Sequence, residues 1–232
     1  MGVKSLANKT DVFFDLDHTL WDFERNSALA FQQVLEEKKL PFSIDSFLEH
    51  YVGINADYWD RYSLNQVSQE ELRIGRIRDT FAQLKYEASV EEMLSVGNMY
   101  LTYLPNNNHL IDGAMEVLNY LEGKYKMHII TNGFSQVQVS KLANAQIARF
   151  FDTITDSEVA GVKKPDQGIF KVALEAAGVT ADKSLMIGDN WIADVEGALS
   201  AGLDVVYFNE HFKTLTKEVP QVNHLIELKN LL

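Results

Sequence analysis

The chain has 232 residues, of which 46% are hydrophobic, and it carries a net charge of −12 at neutral pH. A chain of this length can bury a large core, either as one domain or as a core with a smaller lobe. Its acidity, without any block rich in Lys and Arg, disfavours binding to a nucleic-acid polymer or an anionic membrane, and the lack of cysteine excludes disulfides, thiol catalysis and zinc–thiolate sites.

Targeting signals are not recognisable in the sequence. The opening stretch MGVKSLANKTDVFF has no apolar segment typical of a signal peptide, and no apolar run has the length of a membrane span. We therefore expect a cytoplasmic protein. A small anionic substrate is compatible with the net charge, because one metal ion and one lysine can reverse the field locally.

The first predicted element is a buried strand in the stretch DVFFDLD, residues 11–17. It ends in two carboxylates, Asp15 and Asp17, that are two positions apart. Like charges this close disfavour ionising together. A metal ion or a proton-transfer role would give the chain a reason to keep both.

Residues 22–105 read as helical throughout, without a convincing strand. Two capping boxes open periodic apolar runs in this region: Ser68 with Glu71, and Ser89 with Glu92. We therefore predict a helical domain at 22–105 that is inserted between two parts of a core domain, 1–21 and 106–232.

The remainder of the chain alternates strands with helices. Strands are predicted in 126–133, 183–190 and 203–210, with a weaker candidate in 150–157. Asp112 is expected to cap a helix that extends to Lys124, and Pro165 to lie in the first turn of a later helix. Such alternation predicts an α/β fold with a doubly wound parallel sheet. Its ligands would bind beyond the carboxyl ends of the strands, where Asp15, Thr131 and Asp189 fall.

Four motifs occur in order at these strand ends and helix starts. They are Asp15-Leu16-Asp17-His18-Thr19, Ile130-Thr131-Asn132-Gly133, Lys164-Pro165, and Gly188-Asp189 with Asp194. With these motifs the chain resembles the haloacid dehalogenase superfamily of phosphatases over nearly its whole length. The helical insertion resembles the cap of the subgroup whose cap follows the first motif.

The resemblance implies a Mg²⁺-dependent phosphomonoester hydrolase. Mg²⁺ would be bound by the carboxylates of Asp15 and Asp189 and by the backbone carbonyl of Asp17, with Asp194 close by, directly or through water. Asp15 would attack phosphorus to form an aspartyl-phosphate, and Asp17, holding a proton, would serve as acid and then as base. The phosphate and substrate contacts implied for the core are Thr131, Asn132, Gly133 and Lys164, of which Lys164 would offset the developing charge.

Other reactions share parts of this pattern. A 2-haloacid dehalogenase of this fold uses one aspartate without metal and lacks the second acid, so Asp17 disfavours that reaction. A β-phosphoglucomutase-like enzyme needs the same core motifs and stays open. A binding protein that retained the fold would be expected to have lost Asp15 or the metal acids. One departure from the family pattern is Asn190, at a position that is often Ser or Thr.

The substrate prediction goes one step further. The stretches IITNGF and DHTLWDF, with Tyr51, Asn55, Trp59 and Arg76, resemble the bacterial pyrimidine 5′-nucleotidases of this superfamily. The resemblance implies pyrimidine nucleoside monophosphates as substrates, with an aromatic ring that stacks on the base and Asn55 at its edge. The alternatives are other small phosphoesters, such as phosphoglycolate or a sugar phosphate. The oligomeric state is left open.

Overall fold

The computed structural model, which describes residue 6 and residues 8–214 and 217–232, contains a sheet of six parallel strands. The strands are β1 (Asp11–Phe14), β2 (Lys126–Thr131), β3 (Thr153–Asp156), β4 (Ser184–Gly188), β5 (Asp204–Phe208) and β6 (Gln221–Val222). Their spatial order is β3-β2-β1-β4-β5-β6, which confirms the predicted doubly wound sheet.

The strand order reverses next to β1, which pairs with β2 on one side and β4 on the other. Helical crossovers diverge at such a switch point and leave a crevice at the carboxyl ends of the strands. Asp15 follows β1 and Asp189 follows β4. The topology therefore places the first and last predicted motifs on neighbouring strands.

Both faces of the central strands are buried. Phe13, Ile130 and Met186 belong to one apolar cluster, together with side chains of the helices after β3 and β4. The alternate residues Phe14 and Ile187, which point to the opposite face, are also fully buried. This explains why the strands read as continuous apolar runs in the sequence.

The described chain divides into two compact units. One consists of the residues up to Phe23 together with Asn108–Leu232 and holds the sheet; the other is Glu24–Asn107. The helices of the second unit, the first of which starts at the boundary, are α1 (Phe23–Lys38), α2 (Ile44–Ser63), α3 (Gln69–Gln83) and α4 (Val90–Tyr103).

The capping serines of the helical unit lie where the sequence predicts them. Ser68 Oγ accepts the N–H of Glu71, and Ser89 Oγ accepts the N–H of Glu92, each at 3.1 Å. A third serine, Ser43, caps α2 in the same way. These bonds satisfy N–H groups that have no partner within the helix.

The helices of the sheet unit are α5 (Ala114–Leu121), α6 (Ser135–Asn144), α7 (Ser157–Ala160), α8 (Gln167–Ala177) and α9 (Gly197–Ser200), the last preceded by a π-helical segment, Trp191–Glu196. Short 3₁₀ segments connect several of them. Among the described residues, no helix is long and apolar enough to span a membrane.

The prediction for the helix at Asp112 is wrong at both ends. Gly113, with a φ of 79°, precedes α5 in the left-handed region, and the helix ends at Leu121 instead of reaching Lys124. A right-handed helix cannot run through a residue in the left-handed region. The helix α5 therefore starts after Gly113, and Asp112 lies outside it. Gly123, also at a φ of 79°, lies in the turn that follows the helix.

The start predicted for α8 is also wrong. Pro165 lies before the helix, and Asp166 is the capping residue, because its carboxylate accepts the N–H of Gly168 at 2.7 Å. An aspartate directly after the proline offers a side-chain acceptor to the first turn, which proline cannot do.

Candidate active site

A buried lysine lies at the centre of the predicted site. Lys164 is 2% exposed, and its Nζ donates to Asp15 Oδ1 at 2.6 Å, to Asp194 Oδ1 at 2.6 Å and to the carbonyl of Ile130 at 2.8 Å. These acceptors use all three N–H groups of the ammonium. One cation thereby joins the motifs that follow β1, β2 and β4.

The backbone of Lys164 is held by the side chain of Asn132. Asn132 Nδ2 donates to the Lys164 carbonyl at 2.9 Å, and Asn132 Oδ1 accepts the Lys164 N–H at 2.8 Å. The sequence motif assigns Asn132 to phosphate binding. The structure shows its amide positioning the loop that carries the lysine.

Asp194 is fixed by the turn after β4. Its Oδ2 accepts the N–H of Asn190 at 3.0 Å, while its Oδ1 accepts from Lys164. Asn190 Oδ1 in turn accepts the N–H groups of Ile192 and Ala193 and so caps the segment that carries Asp194. Asn190 thus fills the position at which the family pattern often has Ser or Thr.

Asp189 lies at the same end of the sheet and is oriented by Thr19, whose hydroxyl donates to Asp189 Oδ1 at 3.2 Å. Thr19 is fully buried and ends the first motif. The bond therefore connects the first motif to the last.

Burial and mutual repulsion act on these carboxyl groups. Burial raises the pKa of Asp15 to about 8, with the charges of Asp194 and Asp189 adding to the effect and Lys164 opposing it. Burial and the charge of Asp194 raise the pKa of Asp189 to about 7. Although burial lowers the pKa of Lys164, the carboxylates of Asp15 and Asp194 raise it above its ordinary value, so the lysine stays charged.

The donor set fits a hard divalent cation. Asp15, Asp189 and Asp194 each offer a carboxylate oxygen, and these oxygens lie within 4.8 Å of one another. Mg²⁺ prefers such oxygens, and a dication would relieve the repulsion that raises the pKa values of Asp15 and Asp189. Lys164 and the Asn190 N–H already donate to the two oxygens of Asp194, so this residue would take part with its remaining acceptor sites.

Both side-chain oxygens of Asp17 accept hydrogen bonds. Lys141 Nζ donates to its Oδ1 at 2.5 Å and Gln138 Nε2 to its Oδ2 at 2.9 Å. The resemblance implies that Asp17 holds a proton for the leaving group, and this stays a prediction. Neither Gln138 nor Lys141 was among the predicted residues. The available signal was their spacing of three on a helix just after the Thr131 motif, which puts both on one face.

Thr131 ends β2 and is 1% exposed. Its Oγ1 accepts the N–H of Gly133 at 3.1 Å and Gln138 Nε2 at 2.7 Å. A Cβ at Gly133 would collide with the side chain of Gln138. Glycine at this position therefore allows Gln138 to reach the threonine.

The predicted substrate residues of the helical unit fall into two groups. Asn55 and Arg76 are buried together, with Arg76 Nη1 donating to Asn55 Oδ1 at 2.8 Å and the hydroxyl of Tyr51 donating to the same oxygen at 3.2 Å. Trp59 is half-buried and packs edge-on against Tyr62, with ring centroids 5.7 Å apart. The structure thus brings Tyr51, Asn55 and Arg76 into one cluster and leaves Trp59 outside it.

Comparison with known proteins gives consistent matches. The family model described as haloacid dehalogenase-like hydrolase matches residues 12–202. The pyrimidine 5′-nucleotidase PynA of Streptococcus pneumoniae is 32% identical over 86% of this chain and 84% of its own length. The pyrimidine 5′-nucleotidase YjjG of Escherichia coli is 31% identical over 95% of this chain and 96% of its own.

Among solved structures, the putative HAD-hydrolase YfnB of Bacillus subtilis, bound to magnesium, superposes with a TM-score of 0.87. It is 28% identical and the match covers 96% of this chain and 97% of that one. These matches extend over the sheet unit and the helical unit alike.

Proposed function

We propose that this chain, which belongs to the haloacid dehalogenase-like hydrolase family and is an enzyme of that class, removes phosphate from pyrimidine nucleoside 5′-monophosphates with the help of Mg²⁺. The observation that carries the proposal is the cluster at the carboxyl ends of β1, β2 and β4. It combines a buried lysine, a pair of facing carboxylates and a second acid, Asp17, two residues after Asp15.

Asp15 is proposed as the nucleophile. Lys164 engages its Oδ1, and its Oδ2 has no hydrogen-bond partner among the described residues. A carboxylate oxygen of Asp15 attacks phosphorus, the O–P bond forms, and the bond between phosphorus and the ester oxygen breaks. This gives an aspartyl-phosphate and divides one difficult displacement into two easier ones.

Asp17 is proposed as the acid and then the base. In its protonated form it gives its proton to the departing ester oxygen, and as a carboxylate it then takes a proton from the water that attacks the aspartyl-phosphate. Phosphate leaves and Asp15 is regenerated. Lys141 and Gln138 donate to the two oxygens of Asp17 and so hold the group in place.

Positive charge at the site offsets the charge of the phosphoryl oxygens. Lys164 supplies a fixed ammonium, and Mg²⁺, which Asp15, Asp189 and the backbone carbonyl of Asp17 would hold, neutralises further charge when bound. The proton of the Thr131 hydroxyl is available for a phosphoryl oxygen, because the hydroxyl is the acceptor in both of its hydrogen bonds to the described residues. Asp194 keeps Lys164 in place.

The substrate class rests on the relatives and on the helical unit. Two relatives, PynA and YjjG, are pyrimidine 5′-nucleotidases. Arg76 and Tyr51 occupy the amide oxygen of Asn55, which leaves the Asn55 Nδ2 group to donate to a carbonyl of the base. Trp59, which is partly exposed, is proposed as the ring that stacks on the base.

The reaction that competes within the family, dehalogenation of 2-haloacids, gives Asp17 no role. It proceeds at one aspartate, without a metal pair or a second acid. Here two donors hold Asp17 and the Thr19 hydroxyl holds Asp189, so hydrogen bonds fix the orientation of both side chains. Phosphoryl transfer uses both.

Phosphate release from a panel of compounds tests the proposal. The panel contains pyrimidine and purine nucleoside monophosphates, sugar phosphates and phosphoglycolate, each with Mg²⁺ and then with EDTA. Asp15→Asn is the control for contaminating phosphatase. We expect Mg²⁺-dependent release that favours the pyrimidine monophosphates. Release confined to sugar phosphates or phosphoglycolate would refute the substrate class, and the absence of any release that depends on Asp15 would refute the reaction.

A further inference from the structure

Two buried side chains of α6, Gln138 and Lys141, face the site, and neither has a role in the reaction as described. They are 1% and 2% exposed. Each donates to a different oxygen of Asp17, and Gln138 also donates to Thr131. One helix face therefore connects the proposed acid–base residue to the proposed phosphate-binding residue.

Two aromatic rings also lie beside the ammonium group of Lys141. Its Nζ lies 4.3 Å from the centroid of the Trp21 ring and 5.4 Å from that of Phe23. An ammonium is attracted to the face of an aromatic ring, most strongly to that of Trp. The rings thus fix where the ammonium lies, and the ammonium fixes Asp17 Oδ1.

The orientation of the Gln138 amide follows from its neighbours. The Nε2 atom of Gln138 lies within hydrogen-bond distance of both Asp17 and Thr131, so the NH₂ group faces the two acceptors. Its two N–H groups then serve Asp17 Oδ2 at 2.9 Å and Thr131 Oγ1 at 2.7 Å. Gln138 Oε1 is buried and has no hydrogen-bond partner among the described residues, so the two bonds of Nε2 decide the orientation.

This orientation determines which way the Thr131 proton points. A hydroxyl has one donor and two acceptor sites, and the N–H groups of Gln138 and Gly133 fill both acceptor sites. Within the described part of the chain, no acceptor takes the Thr131 proton. The hydroxyl is therefore prepared to donate to an incoming oxygen.

We propose that Gln138 and Lys141 are positioning residues: together they hold the Asp17 carboxyl group in place, and Gln138 turns the Thr131 hydroxyl into a hydrogen-bond donor for the phosphoryl group. The inference rests on the proposed function, since it assigns both residues to that reaction. They act through Asp17 and Thr131 and need no contact with the substrate.

Leaving groups of different basicity test the role of Lys141. A nitrophenolate leaves phosphorus without a proton, whereas the alkoxide of a nucleoside needs one from Asp17. The experiment compares leaving-group release in the first turnover, with Mg²⁺, from p-nitrophenyl phosphate and from the best nucleotide of the panel. For Lys141→Met we expect the nucleotide rate to fall at least about tenfold more than the nitrophenyl rate, and Lys141→Arg to restore most of the difference.

Inorganic phosphate tests the role of Gln138. In Gln138→Glu, which has nearly the same shape, a carboxylate replaces the NH₂ group, accepts the Thr131 proton and repels Asp17. We expect the inhibition constant of phosphate to rise about tenfold or more, as for the loss of a hydrogen bond to a charged group. Gln138→Met, which removes the donor and adds no charge, is expected to weaken phosphate binding less than Gln138→Glu does.

A matched control separates positioning from general damage. Lys9 is also a buried lysine, paired with Asp204 and bonded to the Asp182 carbonyl, at the amino ends of the strands. Lys9→Met is expected to lower thermal stability and to change both substrates equally. If Lys141→Met also changes both equally, or if Gln138→Glu leaves phosphate inhibition unchanged, the inference is wrong. If the wild-type enzyme releases neither leaving group, the proposed function itself fails.

Discussion

Asp15 shows how burial and neighbouring charges change the pKa of a single residue in the site. Its carboxyl group is buried beside Asp189 and Asp194, and its pKa in the folded chain is about 8, against an ordinary value of 3.8. The folded state therefore holds a proton that the unfolded state releases. Such a group stabilises the fold fully below its ordinary pKa, and this contribution is lost as the pH rises toward the folded value.

The first prediction concerns stability without metal. Between about pH 4 and pH 8 the free energy of unfolding of the wild-type chain in EDTA should fall, because the unfolded chain releases the Asp15 proton in this range while the folded chain keeps it. Asp15→Asn should flatten this fall, whereas Asp57→Asn, at a carboxylate that is 64% exposed on α2, should not. Urea denaturation at a series of pH values measures both effects. Equal slopes for wild type and Asp15→Asn would contradict the account.

A second prediction follows from Gly188, at the end of β4. A Cβ at this position would overlap the Asp194 carboxylate. Gly188→Ala should therefore displace Asp194 and, through it, Lys164, with a loss of roughly 1–3 kcal/mol in stability and a fall in phosphate release of about tenfold or more.

Gly53 provides the matched control for that substitution. It lies within α2, and nothing comes within 4 Å of a Cβ built there. Gly53→Ala should raise stability by about 0.5–1 kcal/mol, since alanine favours a helix over glycine. If Gly188→Ala behaves like Gly53→Ala in both thermal unfolding and phosphate release, the packing of Asp194 against Gly188 does not matter for activity.

The predicted core residues and the ones that were missed differ in how they are encoded. Asp15, Asp189 and Lys164 belong to short motifs at strand ends, and a motif can be recognised in one sequence. Gln138 and Lys141 belong to an ordinary-looking helix, SQVQVSKLAN. Their burial depends on which face of α6 meets the sheet, which a sequence with polar and apolar residues on several faces does not determine.

At the level of elements, the segment after β4 carries the metal-binding proposal. Asp194 lies in the π-helical turn Trp191–Glu196, and Asn190 caps that turn through two backbone N–H groups. The Asn190 N–H also binds the Asp194 carboxylate. The cap and the functional side chain are therefore parts of one local structure.

A third prediction tests this cap. Asn190→Ala should cost about 1 kcal/mol of stability and weaken Mg²⁺ binding, because Asp194 loses its fixed position. Asn190→Ser should retain most of both, since serine is also a good capping residue. Ser68→Ala, which removes a cap of α3 in the other unit, should cost similar stability and leave Mg²⁺ binding unchanged. A calorimetric titration with Mg²⁺, which reads binding apart from activity, would contradict the account if the two alanine variants bound alike.

The element boundaries show what sequence reasoning can and cannot reach. Buried strands such as DVFF and SLMIG are continuous apolar runs and were predicted well. The ends of α5 and α8 were not, because Gly113 and Asp166 decide them through backbone conformation and a single side-chain bond. Which of several neighbouring residues caps a helix depends on the local backbone conformation of the folded chain.

For the whole molecule, the strand order explains why distant motifs act together. Asp15, Lys164 and Asp194 are far apart in the sequence. The order β3-β2-β1-β4-β5-β6 puts the ends of β1 and β4, which precede Asp15 and Asp194, side by side, and β3, which precedes Lys164, is separated from β1 only by β2. The parallel sheet was predictable from the alternation of strands and helices. The individual contacts were not, since they depend on register and on side-chain packing.

The net charge of −12 affects how the whole molecule attracts a substrate. An acidic molecule repels an anionic substrate at long range, so under the proposed reaction the attraction would come from the local positive charges of Lys164 and of a bound dication. The central chemical proposal is that Asp15 receives the phosphoryl group.

Trapping that intermediate tests the claim most directly. Asp17→Asn removes the base that the second step needs, while p-nitrophenyl phosphate needs no acid in the first. Mixing this variant with p-nitrophenyl phosphate and Mg²⁺ should release one equivalent of nitrophenolate in a burst, and mass spectrometry should find one phosphoryl group on the peptide that contains Asp15. Two results would contradict this claim. One is a wild-type enzyme that turns over this substrate together with a variant that gives neither burst nor label. The other is a label on a residue other than Asp15.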